Sequence, residues 1–269
     1  MAARQGTRQA GVGEDVNLAQ ITPLLLTYNE IANISRTLDA LKWAQRVVVI
    51  DSGSDDGTLD VVGRFSQAEV FHRDFDTHAQ QWNFGLEKIR TPFVLTLDAD
   101  YLLSPDFVRE LETLREDGAD GWFASFKYCV DGRPLRGSLL PPRLVLFRTS
   151  AASYYDDGHT QRLKAPSATA RLRTPILHDD RKSPSRWRES QARYAELEAT
   201  KLLGESSRDL TWPDRLRRYY LGPLLAPAYG LIFKGLILDG VDGWRYTSQR
   251  LYAEWLLARR LAARRLGLR

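Results

Sequence analysis

Four short apolar runs, ITPLLL (21–26), VVVI (47–50), AEVF (68–71) and FVLTL (93–97), punctuate the first part of the chain, each parted from the next by a longer amphipathic stretch. Unbroken apolar runs bounded by turn residues read as strands buried on both faces. The intervening stretches carry helix starts: Thr58 ahead of LDVVGRF, Thr77 ahead of HAQQWNFGLEKI, and Ser104-Pro105 ahead of DFVRELETL. In the last, Ser suits the N-cap and Pro the first turn. Strand and helix alternating through four units predict an α/β fold: a mostly parallel, Rossmann-like, doubly wound sheet with right-handed crossovers. A ligand crevice is expected beyond the carboxyl ends of its strands.

Beyond this the rhythm changes. WFASFKYCV, a turn at Asp131-Gly132, and PPRLVLFR predict an antiparallel extension on one edge, and residues 150–175 read as an irregular, loop-rich stretch. Ser183-Pro184 opens a helical run to about Leu203, and Trp212-Pro213 opens another. The expected division is a flexible leader (1–17), a catalytic domain (18–182) and a basic helical C-terminal region (183–269). With 269 residues, 43% hydrophobic and 27% charged, the chain has neither a disordered, a collagen-like nor a multi-span transporter composition. Cys129 stands alone, so neither an intramolecular disulfide nor a thiolate zinc site is available. The chain opens without an apolar signal segment, and the active part is expected to face the cytoplasm.

The chemistry-bearing residues cluster where strands end. The first strand runs into Thr27-Tyr28-Asn29-Glu30, the second into Asp51-Ser52-Gly53-Ser54-Asp55-Asp56-Gly57-Thr58, the fourth into Asp98-Ala99-Asp100. Turn chemistry alone explains part of the middle cluster. Asp98 and Asp100 are different: two carboxylates two residues apart at a strand end repel unless a cation lies between them or one turns away. Hard oxygen ligands suit Mg²⁺ or Mn²⁺, which complete their shells with substrate phosphates and water. Such a metal would neutralise charge growing on a departing nucleotide diphosphate.

TYNE, VVVIDSGSDDGT and FVLTLDAD, in that order and spacing, resemble the family 2 glycosyltransferases with a GT-A fold. The resemblance covers roughly Ile21 to Asp106 and is silent about the sugar. It implies that Thr27, Asn29 and Glu30 lie beside the nucleotide, with Tyr28 able to stack on the base. It further implies that Asp51, with Ser52 next to it, contacts the base, and that Asp98 and Asp100 hold the metal and the donor diphosphate. The stretch from His72 to Asn83 resembles the family segment in which a helix approaches the donor, which makes Arg73, Gln80 and Asn83 candidates for phosphate or sugar contacts. His72 and His78 lack partners at metal-ligand spacing and receive no role.

An inverting transfer needs a base on the face opposite the leaving diphosphate. The densest titratable cluster of the second half, Tyr154 to Gln161, supplies Asp156, Asp157 and His159. In lipopolysaccharide-core members a His-Glu pair precedes a stretch ending in Pro-Ile-Leu-His, as Pro175-Ile176-Leu177-His178 does here, and counting back places Thr160-Gln161 at the pair. Gln cannot act as base, so Asp157 is the first choice, with Asp156 and His159 as alternatives. The same resemblance makes His178 a metal or diphosphate contact, in a segment, His178 to Lys182, that closes the donor site.

Charge is uneven. Residues up to Asp180 hold 20 basic and 25 acidic side chains; those beyond hold 18 and 9. Leu221–Leu238 is apolar and nearly long enough to span a bilayer, but Pro223, Pro227 and Lys234 interrupt it, and Tyr219, Tyr220, Trp244 and arginines flank it. An in-plane or shallow re-entrant anchor on an anionic membrane surface is expected. Nucleic acid is set aside because no recognised binding motif is present. The expected activity is therefore an inverting, metal-dependent transfer from a nucleotide-diphosphate-sugar to a hydroxyl of a glycolipid, lipid-linked or envelope polysaccharide acceptor, by a protein peripheral on the inner face of the cytoplasmic membrane. Two alternatives stand beside it: a sugar-phosphate nucleotidyltransferase, which would need a Gly-rich, Arg-containing loop where TYNE stands, and a non-catalytic peripheral membrane protein keeping the fold.

Overall fold

The computed structural model describes residues 16–115, 118–157, 160–204 and 210–267. The four apolar runs form β1 (Ile21–Thr27), β2 (Val47–Asp51), β3 (Ala68–His72) and β4 (Phe93–Asp98), joined by α1 (Ile34–Asp39), α2 (Thr58–Val62) and α3 (His78–Leu86). Then come β5 (Tyr101–Leu102), α4 (Pro105–Glu112), β6 (Gly121–Ala124), β7 (Phe126–Val130), β8 (Arg133–Pro134) and β9 (Arg143–Arg148). They are followed by β10 (Ser153–Asp157), β11 (Thr160–Lys164), β12 (Thr169–Arg171) and β13 (Ile176–His178). The chain ends in α5 (Pro184–Gly204), α6 (Trp212–Arg218), α7 (Gly222–Ala228) and α8 (Gly240–Arg265).

The main sheet has seven strands in the order β12-β6-β9-β4-β1-β2-β3, with β4, β1, β2 and β3 mutually parallel. Both faces of β1 and β2 are covered, which is why they read as continuous apolar runs. Alternate side chains go opposite ways. Leu25, Val49, Leu95 and Leu97 pack with Ile34 and Leu38 of α1 and with Phe107 and Leu111 of α4. Leu24, Val48, Ile50 and Val94 pack with Trp82 of α3 and, through Tyr154 and Leu163, with β10 and β11. Thr77 and Ser104 cap α3 and α4 as expected, each side chain accepting an amide bond three residues on.

Thr58 begins α2 as expected, with Gly57, at φ 91°, as its cap and the Thr58 hydroxyl bonded to Asp56. Several expectations need correction. The expected single strand WFASFKYCV breaks at Ser125 into β6 and β7, which enter different sheets; the second sheet has the order β5-β13-β7-β8. Only part of the extension is antiparallel: β9 runs so against β4 and β6, but β12 runs parallel to β6 and β13 parallel to β7. The stretch 150–175 contains the hairpin β10–β11. It reads as loop because the strands pair only with each other, and Tyr154 and Leu163, opposite one another, are the side chains it sends to the core. Val16 and Asn17, assigned to the leader from sequence, are packed against the body: Val16 is buried with its N–H on the Leu114 carbonyl, and Asn17 caps a short 3-10 turn.

The C-terminal helices build a core of their own, in which Ala195, Ala199 and Leu202 of α5 meet Leu257 and Leu261 of α8. Between α7 and α8 the chain passes through a π-helical turn (Tyr229–Phe233) and a 3-10 turn (Leu236–Asp239). No single helix among the described residues is long and apolar enough to cross a membrane; Gly222–Phe233 and Leu236–Arg265 pass that test only as a pair bent by 73°.

Candidate active site

Register brings the three motif-bearing strand ends to one level. Thr27 pairs with Asp51, and Leu26 with Asp98. Just past β1 the backbone turns at Asn29, φ 58°, a left-handed conformation that Asn tolerates better than most residues. Its N–H donates to the Ser54 hydroxyl (2.8 Å), and its side-chain oxygen accepts from the Asp55 N–H (2.9 Å). TYNE and the β2 loop therefore form one bonded unit. Tyr28 stands half exposed at its mouth, free to meet a flat ligand.

Asp51 is buried and its carboxylate saturated. One oxygen accepts from the Thr27 hydroxyl (3.0 Å) and the Ser54 hydroxyl (2.5 Å), the other from the Gly53 and Ser54 amides (both 2.9 Å). Its visible work is to shape the loop; contact with a base requires one of these bonds to exchange. Ser52 accepts at its hydroxyl from Gln81 (2.8 Å), which also donates to the Arg73 carbonyl (2.8 Å). Gln80, expected at the donor, is exposed, whereas its neighbour Gln81 is buried and tied to the loop after β2. Nothing in the sequence distinguishes the two glutamines; helix phase does. Asn83, also expected at the donor, instead clamps α3 to β10, both ends of its amide being taken by the Tyr154 backbone (2.8 and 3.0 Å). Arg73 bonds Asp76 (2.9 Å) and lies over the Phe84 ring, with its Nε buried and unpartnered.

Asp98 and Asp100 sit differently. The Asp98 side chain is 42% exposed in the cleft, 3.5 Å from Arg143. Asp100 is buried because β5 pairs with β13, setting His178 opposite Tyr101. One Asp100 oxygen lies 3.0 Å from His178 Nε2; the other is buried without a partner. Burial alone would raise the Asp100 pKa, but the imidazole of His178 and the ammonium of Lys182 outweigh it and hold it down to about 2. Burial likewise favours neutral His178, yet the Asp100 carboxylate raises its proton affinity. His178, expected at the metal, pairs with Asp100 through Nε2 while its buried Nδ1 has no partner, and among the described residues no three His, Cys, Asp or Glu side chains converge as a ready-made metal cluster. Two hard carboxylates, one carrying an orphaned buried oxygen, still fit a divalent cation whose remaining ligands come from a diphosphate.

The segment after His178 is bonded to the TYNE corner and the start of α1. Lys182 Nζ is 2.5 Å from Glu30, and the Asp180 carboxylate accepts from Asn33 (2.9 Å). The Arg181 N–H meets Asn33 (2.8 Å), and Arg36 grips Asp179 (2.5 Å). Burial lifts the Glu30 carboxyl to about 7, with Lys182 opposing and Asp100 adding to the rise. Burial disfavours a charged Lys182, but Glu30, Asp100 and Asp180 keep it protonated. A fixed cation between the TYNE corner and Asp100 is placed to meet phosphate oxygens, a role the sequence reading left within a general charge run. From α5, Arg186 reaches the Asn29 carbonyl (3.1 Å) and Asp56 (3.2 Å).

Beside Asp98 opens a cavity of about 270 Å³ walled by Trp82, Tyr101, Phe123, Arg143 and Tyr154. Trp82 and Tyr154 stack at 5.5 Å. Aromatic walls with a few polar groups suit the faces and hydroxyls of a sugar. The β10–β11 hairpin forms one side through Tyr154 and Leu163. Of the expected bases, Asp156 accepts from the Ala79 N–H at the start of α3 (3.3 Å) and is exposed. Asp157 is described as backbone in β10 only, and His159 lies outside the described residues.

The sheet order, the crevice at the strand ends and the acidic pair define a GT-A glycosyltransferase. Residues 24–170, more than half of the chain, match the model of glycosyl transferase family 2, and the chain belongs to that family. Among curated proteins it is similar to the lipopolysaccharide core biosynthesis glycosyltransferase LpsC of Rhizobium meliloti (strain 1021), 27% identical over 84 residues. That match takes in 30% of this chain and 31% of that protein. The mannosyltransferase PcManGT from Pyrobaculum calidifontis, solved with GDP-Man and Mn²⁺, shares the fold at TM-score 0.55 and 16% identity, with 95% of this chain and 91% of that one covered. S. aureus TarS 1-349 with UDP-GlcNAc aligns over 92% of each chain at TM-score 0.46 and 16% identity.

Proposed function

We propose that this glycosyltransferase moves a sugar, with inversion, from a nucleotide-diphosphate-sugar to a hydroxyl of a membrane-associated glycolipid, with Mg²⁺ or Mn²⁺ bound beside the donor. The observation that carries the reading is the acidic cluster at the level strand ends: Asp98 stands 42% exposed beside Arg143, Asp100 keeps a buried oxygen without a partner, and the Lys182 ammonium bonds Glu30 while feeling the Asp100 charge. The Mn²⁺ bound with a nucleotide sugar in the mannosyltransferase supports a divalent cation here too. Family membership sets aside the nucleotidyltransferase alternative.

The chain's residues divide the work. Tyr28 and the bonded TYNE and β2 loops receive the nucleoside. Asp98 and Asp100 would hold the cation, which when bound offsets charge on the leaving diphosphate; Lys182 adds a second fixed positive charge. The aromatic cavity orients sugar next to Asp98 and keeps water from the anomeric carbon. The acceptor oxygen forms its bond to that carbon from the face opposite the diphosphate as the carbon–diphosphate bond breaks, and its proton passes to a base from the titratable cluster between Tyr154 and Gln161 of the sequence. Asp157 is the first choice, with Asp156 and His159 as alternatives. A glycolipid acceptor is supported by the likeness to a lipopolysaccharide-core enzyme and by the basic C-terminal region, which holds 16 basic and nine acidic side chains from residue 183 on. On this reading the protein is peripheral on the inner face of the cytoplasmic membrane.

The test is a thermal-shift screen of UDP-, GDP-, dTDP- and CMP-sugars with and without Mn²⁺, since a ligand that binds the native state raises its apparent stability. One donor should stabilise the wild type only with metal. Asp98→Asn and Asp100→Asn should each abolish the metal-dependent part and lower transfer by roughly 10²–10³-fold. Metal-dependent donor binding that survives both substitutions unchanged overturns the reading.

A further inference from the structure

The α7–α8 corner turns its largest apolar side chains outward. Val241 is 83% exposed, Phe233 78%, Leu224 71% and Ile232 70%, with Leu238 and Trp244 beside them in sequence and also exposed. Large apolar side chains exposed this densely along one short segment mark an interaction site. Looseness is not its cause, because the backbone beneath is tightly packed. A Cβ on Gly243 would collide with the Leu236 carbonyl, and one on Gly137 with the Lys234 backbone. Leu236 is wholly buried, and with Tyr246 it packs on Val130 of β7 and on Leu135, just past β8. The corner is pinned inward by Leu236, Gly243 and Tyr246 while the residues between and beside them face out.

We propose that this corner is a membrane-inserting wedge: the bend from Gly222 to Trp244 lies in the plane of a bilayer leaflet with anionic headgroups, burying Leu224, Ile232, Phe233, Leu238 and Val241 among acyl chains. The proposal deepens the glycolipid-acceptor reading above and rests on it for its purpose. Three observations select a lipid surface as occupant. The apolar elements break within a few residues, at Gly235 (φ 70°) and Gly240 (φ 59°), giving a 73° bend of which neither arm is by itself both long and apolar enough to span, a shape suited to lying shallow. Exposed aromatics with a polar edge, Trp212, Tyr219, Tyr229 and Trp244, occur on and around it, the composition of the headgroup level. Basic side chains, Arg215, Arg218, Lys234 and Arg245, occur along the same segments, where each near the surface strengthens attraction to anionic lipid.

The wedge also connects to the chemistry. Tyr246 lies 4.3 Å, ring to ring, from Tyr128, which lies 5.1 Å from His178, the partner of Asp100. A leaflet at the corner would thus lie a short stack of rings from the donor site, where a lipid-anchored acceptor can reach it.

The experiment is flotation of the full chain with vesicles of phosphatidylglycerol and phosphatidylethanolamine, against vesicles of phosphatidylcholine alone. Wild type should float with the anionic vesicles and much less with the neutral ones, and bromine-labelled acyl chains should quench a fluorescence component missing in Trp244→Phe. Ile232→Ser combined with Phe233→Ser should weaken partition about a hundredfold, since each removes a large buried apolar side chain from lipid. Donor binding with Mn²⁺ should be unchanged. Leu238→Ser combined with Val241→Ser, beyond the bend, repeats the test if the first pair misfolds. Equal flotation of wild type and both variants overturns the wedge, as does a wild-type dimer that the same substitutions convert to monomer without any vesicle binding. Loss of transfer with flotation intact would count against the proposed activity and leave the wedge standing.

Discussion

Asp179 shows how one side chain organises several parts of the site. Its buried carboxylate meets Arg36, Arg181 and the Gly132 N–H, and so ties α1, the β7–β8 turn and the segment that carries Lys182. Burial would raise its pKa, but the two guanidinium groups and the amide lower it below its ordinary value. A depressed carboxylate contributes stability in full above its unfolded pKa, about 3.9, and loses it as pH falls through the lower folded value. Asp179→Asn is expected to cost about 2 kcal/mol at neutral pH. It should also flatten the decline of stability below about pH 4, as read by denaturant titrations at several pH values. At this scale the motif residues Thr27, Asn29, Glu30, Asp51, Asp98 and Asp100 were legible because loop chemistry after a strand is local. Gln81, Lys182 and Arg143 were not. Their partners Ser52, Glu30 and Asp98 lie 29, 152 and 45 positions away, and no local pattern reports a contact across that distance.

Among the elements, α3 packs tightly on the sheet, and Gly85 permits it. A Cβ there would come within 2.6 Å of the Leu24 side chain and 3.1 Å of Ile50. Gly85→Ala is therefore expected to destabilise by about 1–3 kcal/mol through overpacking, despite alanine's better helix propensity. Chemical denaturation would measure the loss, and a gain in stability would show that the helix can shift outward freely. Because Asn83 clamps α3 to β10, the same substitution should loosen the hairpin that walls the sugar cavity, raising amide exchange in β10. The four parallel strands were readable from their apolar runs. The hairpin was not, since mostly polar strands whose described core contacts come down to Tyr154 and Leu163 leave almost no period-2 signal.

For the whole molecule, the α5–α8 core stands apart from the two cores that flank the main sheet. Leu202→Ala, at a fully buried position between α5 and α8, should cost about 2–5 kcal/mol. The loss should fall on the C-terminal helices: hydrogen exchange is expected to rise across α5 and α8 while β1, β2 and β4 keep their protection. Uniform acceleration across the chain would mean that the cores unfold as one unit. The amino-acid order by itself determined the sheet, its helices and the acidic strand ends, because buried strands, caps and turns are written in short-range pattern. Only the tertiary structure decided which carboxylate is buried, which glutamine faces the donor loop and where a lysine stands beside Glu30. Each of these depends on helix phase and on strands brought together from opposite ends of the chain. It also decided that the apolar Leu221–Leu238 segment bends over a packed glycine corner and shows its largest side chains to solvent, since burial belongs to what surrounds a residue and not to the residue itself.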